Sequence, residues 1–219
     1  MVRARLEDDI VNVHLAWRRP VQMKSLRELY VEELKDLYSA ENQILKALPR
    51  MMRAASDRDL QRAFSQHEKQ TQRQVKRLER IFKQLGESPR GKKCKGMEGL
   101  LEEGKELIQE RPEPEVLDAG LIAAAQRVEH YEIAGYGTVR TYARQLGEEE
   151  HASLLQETLD EEGETDKKLT ALAESSINIE AEQADDEDGE SMGGNGRSGS
   201  GGRGRAGARG RRKTASAAR

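Results

Sequence analysis

The sequence predicts an all-α protein, a four-helix bundle with one long crossover that carries a short extra helix. Three observations predict it. Strand-type alternation is hard to find, and charged residues at 35% against aromatics at 4% suit long amphipathic helices. Four helix-length segments repeat apolar residues three and four apart, which places them on one face. The link between the second and third segments, residues 87–114, is long enough to run the length of a bundle, so the two segments it joins can run parallel.

The first segment, residues 25–55, opens on Ser25 with Glu28 at the capping-box spacing, and its stripe reads Leu34, Leu37, Glu41, Ile44 and Leu48. Pro49 removes a backbone donor and should kink this helix without ending it. Ser56 with Asp59 marks the start of the second segment, residues 57–86, whose stripe is Leu60, Phe64, His67, Thr71, Gln74, Leu78, Ile81 and Leu85. Gly86 and the Ser88-Pro89 pair close it. The crossover begins with a basic loop (Arg90, Lys92, Lys93, Lys95) and continues as a short helix over about 97–109. Pro112 and Pro114 introduce the third segment, residues 115–146, with Leu121, Ala125, Val128, Glu132, Tyr136 and Val139 on its stripe and Glu129 beside them. Gly147 turns the chain into the fourth, residues 148–175, which reads Leu155, Thr158, Glu162, Thr165, Leu169 and Leu172.

Each stripe is interrupted by polar side chains at its midpoint. Unpaired buried charges cost several kcal/mol or more, on the order of what a domain can spare. A metal ion is the simplest compensation, and carboxylate with imidazole is the ligand set that non-haem iron and manganese favour. Bundles build dinuclear sites in this way from facing helices. Glu129 and Glu132 lie about 60° apart around the helix axis, so both can reach one centre. His67 and Gln70 share that spacing, the Glu161-Glu162 pair offers a carboxylate whichever way the fourth helix rotates, and Glu41 completes the ring. The plainer alternative is a core histidine hydrogen-bonded to a neighbouring glutamate or to Thr71. His130 lies about 160° from Glu132 and reads as packing or interface. His151 is too near the end of its segment to join the ring, and Cys94, between lysines, is weak evidence for a reactive thiol.

Composition bounds the rest. One cysteine permits no intramolecular disulfide and no thiolate cluster within the chain, which fits a reducing compartment. No apolar run approaches the ~20 residues needed to cross a bilayer, and the N-terminus has no apolar signal core, so a cytoplasmic location is expected. Residues 1–22 do not share the helical pattern. Either Met23 is the functional start and they are an extension, or they form a docking arm around Trp17. Beyond Ile179 the pattern stops, and residues 180–219 are expected to be disordered, first acidic and then rich in glycine and arginine. Residues 193–219 carry +8, so the net charge of -3 leaves -11 on residues 1–192. Such a tail attracts nucleic acid without sequence preference, because it lacks stacking aromatics, or it serves only to solubilise the chain.

Four stretches resemble the YciE/YciF family of bacterial ferritin-like proteins: LYSAEN (37–42), MEGLLEEG (97–104), LIAAAQRVEHYEIAGYGT (121–138) and TLDEE (158–162). The resemblance covers residues 23–179. It implies a ferritin-like bundle with a short helix in the crossover, a homodimer, an association with stress responses and a dinuclear metal site. Glu41, His67, Glu129, Glu132, Glu161 and Glu162 match positions where the family carries ligating residue types. The metal implied is divalent, iron or manganese first and zinc second. Gln70 departs from the glutamate of many members, and no histidine follows the glutamates of the fourth segment at the spacing of ferritins. These departures leave open a mononuclear, weakly loaded or empty site. Two functions are therefore expected to compete: a metal-binding stress protein, or a non-enzymatic dimeric stress or structural protein whose tail binds nucleic acid.

Overall fold

The computed structural model describes residues 23–191, so the expectations for residues 1–22 and for the basic tail lie outside the described residues. Helix α1 spans Leu26–Ala54 and begins on the Ser25 cap that the sequence indicates, although the reciprocal bond of a capping box falls one residue early, on Lys24. Ser25 Oγ accepts from the Glu28 N–H at 3.1 Å, and the Glu28 carboxylate accepts from the Lys24 N–H at 2.6 Å. Pro49 lies within α1, which continues to Ala54. Helix α2, Arg58–Leu85, is capped by Asp57, whose Oδ1 accepts from the Leu60 N–H at 2.8 Å. The sequence pointed to Ser56 for this role. Ser56 is instead engaged by the buried Asp118, which takes both its hydroxyl and its backbone N–H.

Gly86 adopts a φ of +68°, the left-handed conformation that a helix C-terminus favours. The crossover carries α3, Lys95–Glu110, with Cys94 as its N-cap, and α3 packs on α1 and α4. Helix α4, Pro114–Gln145, starts on a proline whose missing N–H costs nothing at that position. A turn through Gly147, φ +76°, leads into α5, Glu149–Leu172. One π-helical turn, Ala173–Ile177, then joins α5 to α6, Asn178–Ser191. The helical path therefore continues past Ile179, the point where the apolar pattern stops. Buried Ala173 and Ile177 hold the junction, α6 packs along α4, and the Glu, Ala and Gln residues after Ile179 are good helix formers.

The fold is a ferritin-like four-helix bundle of α1, α2, α4 and α5. Helix α1 packs on α2, α4 on α5, and α1–α4 and α2–α5 contacts close the ring. Contacts between α2 and α4 ascend together, Asp57 to Asp118 and His67 to Glu129, so these two helices run parallel as the crossover demands. Among the described residues no helix is long and apolar enough to cross a membrane. The core falls into two apolar clusters. Ile44, Leu48, Leu60, Phe64, Leu121, Val128 and Leu169 belong to one, and Tyr30, Leu34, Leu37, Leu78, Ile81, Val139 and Leu155 to the other. Each such side chain contributes about 1.5–3 kcal/mol on burial. Between the clusters lies a polar layer.

Candidate metal centre

All four bundle helices supply the polar layer. Helix α1 brings Glu41, α2 brings His67, Thr71 and Gln74, α4 brings Glu129 and Glu132, and α5 brings Thr158 and Glu162, all of them buried. These residues sit on stripes that are otherwise apolar, so the packing that forms the bundle also drives them inward. Gly135 tightens the layer: a Cβ there would come within 2.7 Å of Leu37 Cδ2, so its absence lets α1 and α4 approach closely beside Glu41 and Glu132.

One donor atom from each of His67, Glu129, Glu132 and Glu162 falls within 4.8 Å of the others. His67 Nε2 lies 3.2 Å from Glu129 Oε1 but off the line of a hydrogen bond, so neither ring nitrogen has a partner. Both oxygens of Glu132 and one each of Glu41, Glu129 and Glu162 are likewise buried without a partner. Like charges 4 Å apart repel by about 4 kcal/mol per pair even at an effective dielectric of about 20. The layer is therefore incomplete without protons or a cation.

Titration behaviour follows from this crowding. Burial, then the charge of Glu162, pushes the Glu41 carboxyl well above the usual range. Glu129 is raised by burial and by Glu162, and Glu132 by burial and by Glu41, Glu162 and Glu129. Burial lifts Glu162 to about 7 and drives His67 down to about 4. At neutral pH the imidazole is an uncharged donor, the form that ligates metals. Three carboxylates and an imidazole lie together, with the Glu41 carboxylate adjoining, and such a group could hold a metal ion.

The sequence-predicted residues divide on inspection. Glu41, His67, Glu129, Glu132 and Glu162 come together. Glu161 does not: Arg77 grips both its oxygens, Nη1 to Oε2 at 2.6 Å and Nη2 to Oε1 at 2.9 Å. Burial pushes its carboxyl up, but the Arg77 guanidinium outweighs that and holds it below the usual range. The rotation of α5 thus selects Glu162 over its neighbour.

Gln70 also stands outside, half-buried, with Nε2 donating to Thr165 Oγ1 at 3.1 Å. The amide that reaches the layer is Gln74, whose Nε2 donates to Glu162 Oε1 and, at 3.1 Å, to Glu161 Oε2. Tyr136 plays a matching part on α4, donating its hydroxyl to Glu41 Oε1. Both residues lie on the stripes, yet their spacing alone does not identify them as carboxylate holders.

The other candidates settle elsewhere. His130 is exposed on α4, 3.4 Å from Asp166 Oδ1. His151 is buried at the bundle end, its Nδ1 3.3 Å from the Tyr30 hydroxyl. Cys94 is buried with Sγ 2.9 Å from the Tyr131 hydroxyl, and burial raises its thiol, the opposite of activation.

Residues 25–182 match the family described as "Domain of unknown function (DUF892)". The chain belongs to this family. It is 45% identical over 163 residues to the protein YciF of Escherichia coli K12, covering 74% of this chain and 98% of that protein. The crystal structure of the E. coli stress protein YciF superposes with a TM-score of 0.69 at 46% identity, over 71% of this chain and 99% of the other. YcfI of Rhodopseudomonas palustris, described as a candidate structural protein, matches with a TM-score of 0.67 at 40% identity, over 69% of this chain and 97% of its own. The chain is thus a homologue of the YciF stress protein.

Proposed function

We propose that the protein is a ferritin-like, metal-binding stress-response protein of the bacterial cytoplasm whose polar layer holds one or two divalent cations. The observation that carries this reading is the convergence of four buried donors from three helices within 4.8 Å, each residue keeping at least one unpartnered buried atom. His67, Glu129, Glu132 and Glu162 would hold the first cation, and Glu41, beside Glu132 and Glu162, would flank a second. An oxygen-rich set with one imidazole favours iron or manganese over zinc. A bound cation there would act as a Lewis acid toward an oxygen ligand. The protein's part is to orient and to shield. Gln74 fixes Glu162, Tyr136 keeps a proton at its hydroxyl against Glu41, and the two apolar clusters keep bulk water from the layer. Glu161 is left out of the ligand set, because Arg77 already neutralises it. The stress role rests on homology to YciF.

Elemental analysis of full-length protein purified without chelators tests the reading. About one or two ions per chain are expected, with loss in the Glu129→Ala/Glu132→Ala variant. Equal metal in both proteins, or none in either after metal-replete expression, removes the centre.

A second reading is favoured by two observations, the description of the R. palustris relative and the +8 charge of residues 193–219. In it the chain is a homodimeric structural protein whose tail holds nucleic acid. Retention on immobilised DNA should then fall steeply with salt and vanish when residues 193–219 are removed. Retention that outlasts removal of the tail refutes it.

A further inference from the structure

Helix α2 turns one sign of charge toward solvent along its whole length. At about 100° per residue, Arg58, Arg62, Lys69, Arg73, Lys76, Arg80 and Lys83 fall within an arc of about 80°, and all of them are exposed. Ser65 is the one other residue on that arc, and the acids of α2, Asp59, Glu68 and Glu79, lie off it. The arc is centred opposite the buried face of Leu60, Phe64, Thr71 and Leu78, so it forms the outermost ridge of the helix. From Arg58 to Lys83 the ridge runs about 38 Å. The chain as a whole carries -3, and α5 alongside exposes Glu149, Glu150, Glu157, Asp160 and Glu164, so the ridge reverses the prevailing sign. Arg62 pairs with Asp59 and Arg80 with Glu150, both at exposed positions where solvent weakens the attraction. Arg73 lies 3.9 Å from a Glu161 that Arg77 already holds. Arg58, Lys69, Lys76 and Lys83 have no carboxylate partner among the described residues.

We propose that this ridge is a docking surface for the phosphate backbone of duplex nucleic acid, bound without regard to sequence. The chemistry of the ridge selects the partner. A protein interface needs an apolar core, and a stable hold on a membrane surface needs an apolar face beside the basic one. The exposed large apolar side chains among the described residues, Met23, Val116 and Ile179, all lie off α2. Single strands are held by stacking on aromatic side chains, and the ridge has none. What remains is a row of cations on a straight, rigid support. A duplex carries about one negative charge per 1.7 Å of axis, and one turn measures about 34–36 Å, so the ridge matches one turn in length. Phosphates meeting the lysines and arginines release condensed counterions, which drives binding that no base contact needs to support. The surface belongs to the folded body, so it depends neither on the metal centre nor on residues 193–219.

Fluorescence anisotropy tests the surface, with full-length protein titrated over a range of salt into a labelled mixed-sequence duplex of about two turns, ~20 base pairs. Lys69→Gln/Lys76→Gln/Lys83→Gln removes three exposed, unpaired cations and replaces them with equally good helix formers, so the helical signal should persist. This variant should bind the duplex at least tenfold more weakly at about 0.1 M salt, and its log–log salt dependence should be shallower by about two to three, at about 0.9 per phosphate contact. Lys46→Gln/Arg53→Gln/Arg144→Gln makes an equal charge change on α1 and α4 and should alter binding less than about threefold. Equal losses in the two variants, or no loss in the ridge variant, overturns the surface. Phosphatidylserine vesicles serve as a second probe, and the ridge variant should bind them as the unaltered protein does. A loss confined to vesicles gives the ridge to a membrane surface and overturns the nucleic-acid assignment. Removal of residues 193–219 is scored separately. If it abolishes binding while the ridge variant binds normally, the tail stands and the ridge falls; if binding survives it and still responds to the ridge variant, the tail reading falls and the ridge stands.

Discussion

Two buried carboxylate sites in this bundle have nearly equal burial and opposite circumstances. Asp118 on α4 is 2% exposed, and three donors meet it: the Ser56 N–H at 2.9 Å, the Ser56 hydroxyl at 2.6 Å and the Asp57 N–H at 2.7 Å. Glu132, four turns further along the same helix, is 1% exposed, and neither of its oxygens has a partner. Asp118 therefore reads as structure. It ties the α1–α2 corner to α4, and protein groups alone satisfy it. Glu132 faces other carboxylates, which cannot satisfy one another without a proton or a cation. Burial does not separate the two sites; incomplete hydrogen bonding does.

The largest effect that would sharpen this contrast is metal removal. A ligand present at about a thousand times its dissociation constant adds about 4 kcal/mol to the native state. Chelation should lower the thermal midpoint accordingly while the far-ultraviolet helical signal persists, since both apolar clusters remain. An unchanged midpoint in protein shown to have held metal breaks the contrast.

Substitution at the two sites should come next and should have opposite signs. Asp118→Ala leaves two part-buried N–H groups and the Ser56 hydroxyl without their acceptor and should cost about 2 kcal/mol in urea denaturation, with metal content unaltered. Glu132→Gln in metal-free protein relieves like-charge crowding and should be neutral or stabilising by about 1 kcal/mol, while metal content falls. Equal destabilisation by both would mean that Glu132 has a partner in solution.

The pH dependence of metal-free protein follows from the raised carboxyls. Glu41, Glu129, Glu132 and Glu162 hold protons more tightly folded than unfolded. Their contribution is complete below the unfolded pKa, near 4.5, and is lost as pH rises through the folded values, Glu162 at about 7. His67 opposes them, costing stability as pH falls from 6.5 toward about 4. Four groups outweigh one, so metal-free protein should be more stable at pH 5 than at pH 7. Metal-loaded protein should reverse this order, because a cation displaces the same protons. An unchanged order would leave the carboxyls with no common occupant.

Much of this was legible in the sequence, for a reason that also sets the limit. Helical periodicity places side chains to within about one helix face, so the spans of the long helices, the mid-bundle layer, its four glutamates and its imidazole follow directly. Choices finer than a face depend on packing between helices. Glu161 and Glu162 lie about 100° apart around the helix axis, and only contact with Arg77 on α2 separates them. Gln70 and Gln74 differ by little more than one turn, yet one bonds Thr165 and the other Glu162. Asp118 carries no motif at all, because its partners are 61 and 62 residues away. The reach of α6 past Ile179 was hidden for a related cause: apolar pattern ends where its buried anchors end, not where the helix does.

The smallest expected effect tests that boundary between face and contact. The spacing of His67 and Gln70 invites a carboxylate at residue 70, but Gln70 is half-buried between α2 and α5 and bonded to Thr165. Gln70→Glu should therefore change metal affinity, measured by competition with a chelator, less than about threefold, well under the 1.4 kcal/mol of a tenfold change. Gln74→Glu gives the comparison its scale. Gln74 is the donor that orients Glu162, and losing such a support typically costs 10–100-fold in metal affinity. If Gln70→Glu tightened binding tenfold instead, the new carboxylate would be reaching the cation. The proposed centre would then lie nearer the gap between α2 and α5 than a cation held by Glu132 and Glu162 would.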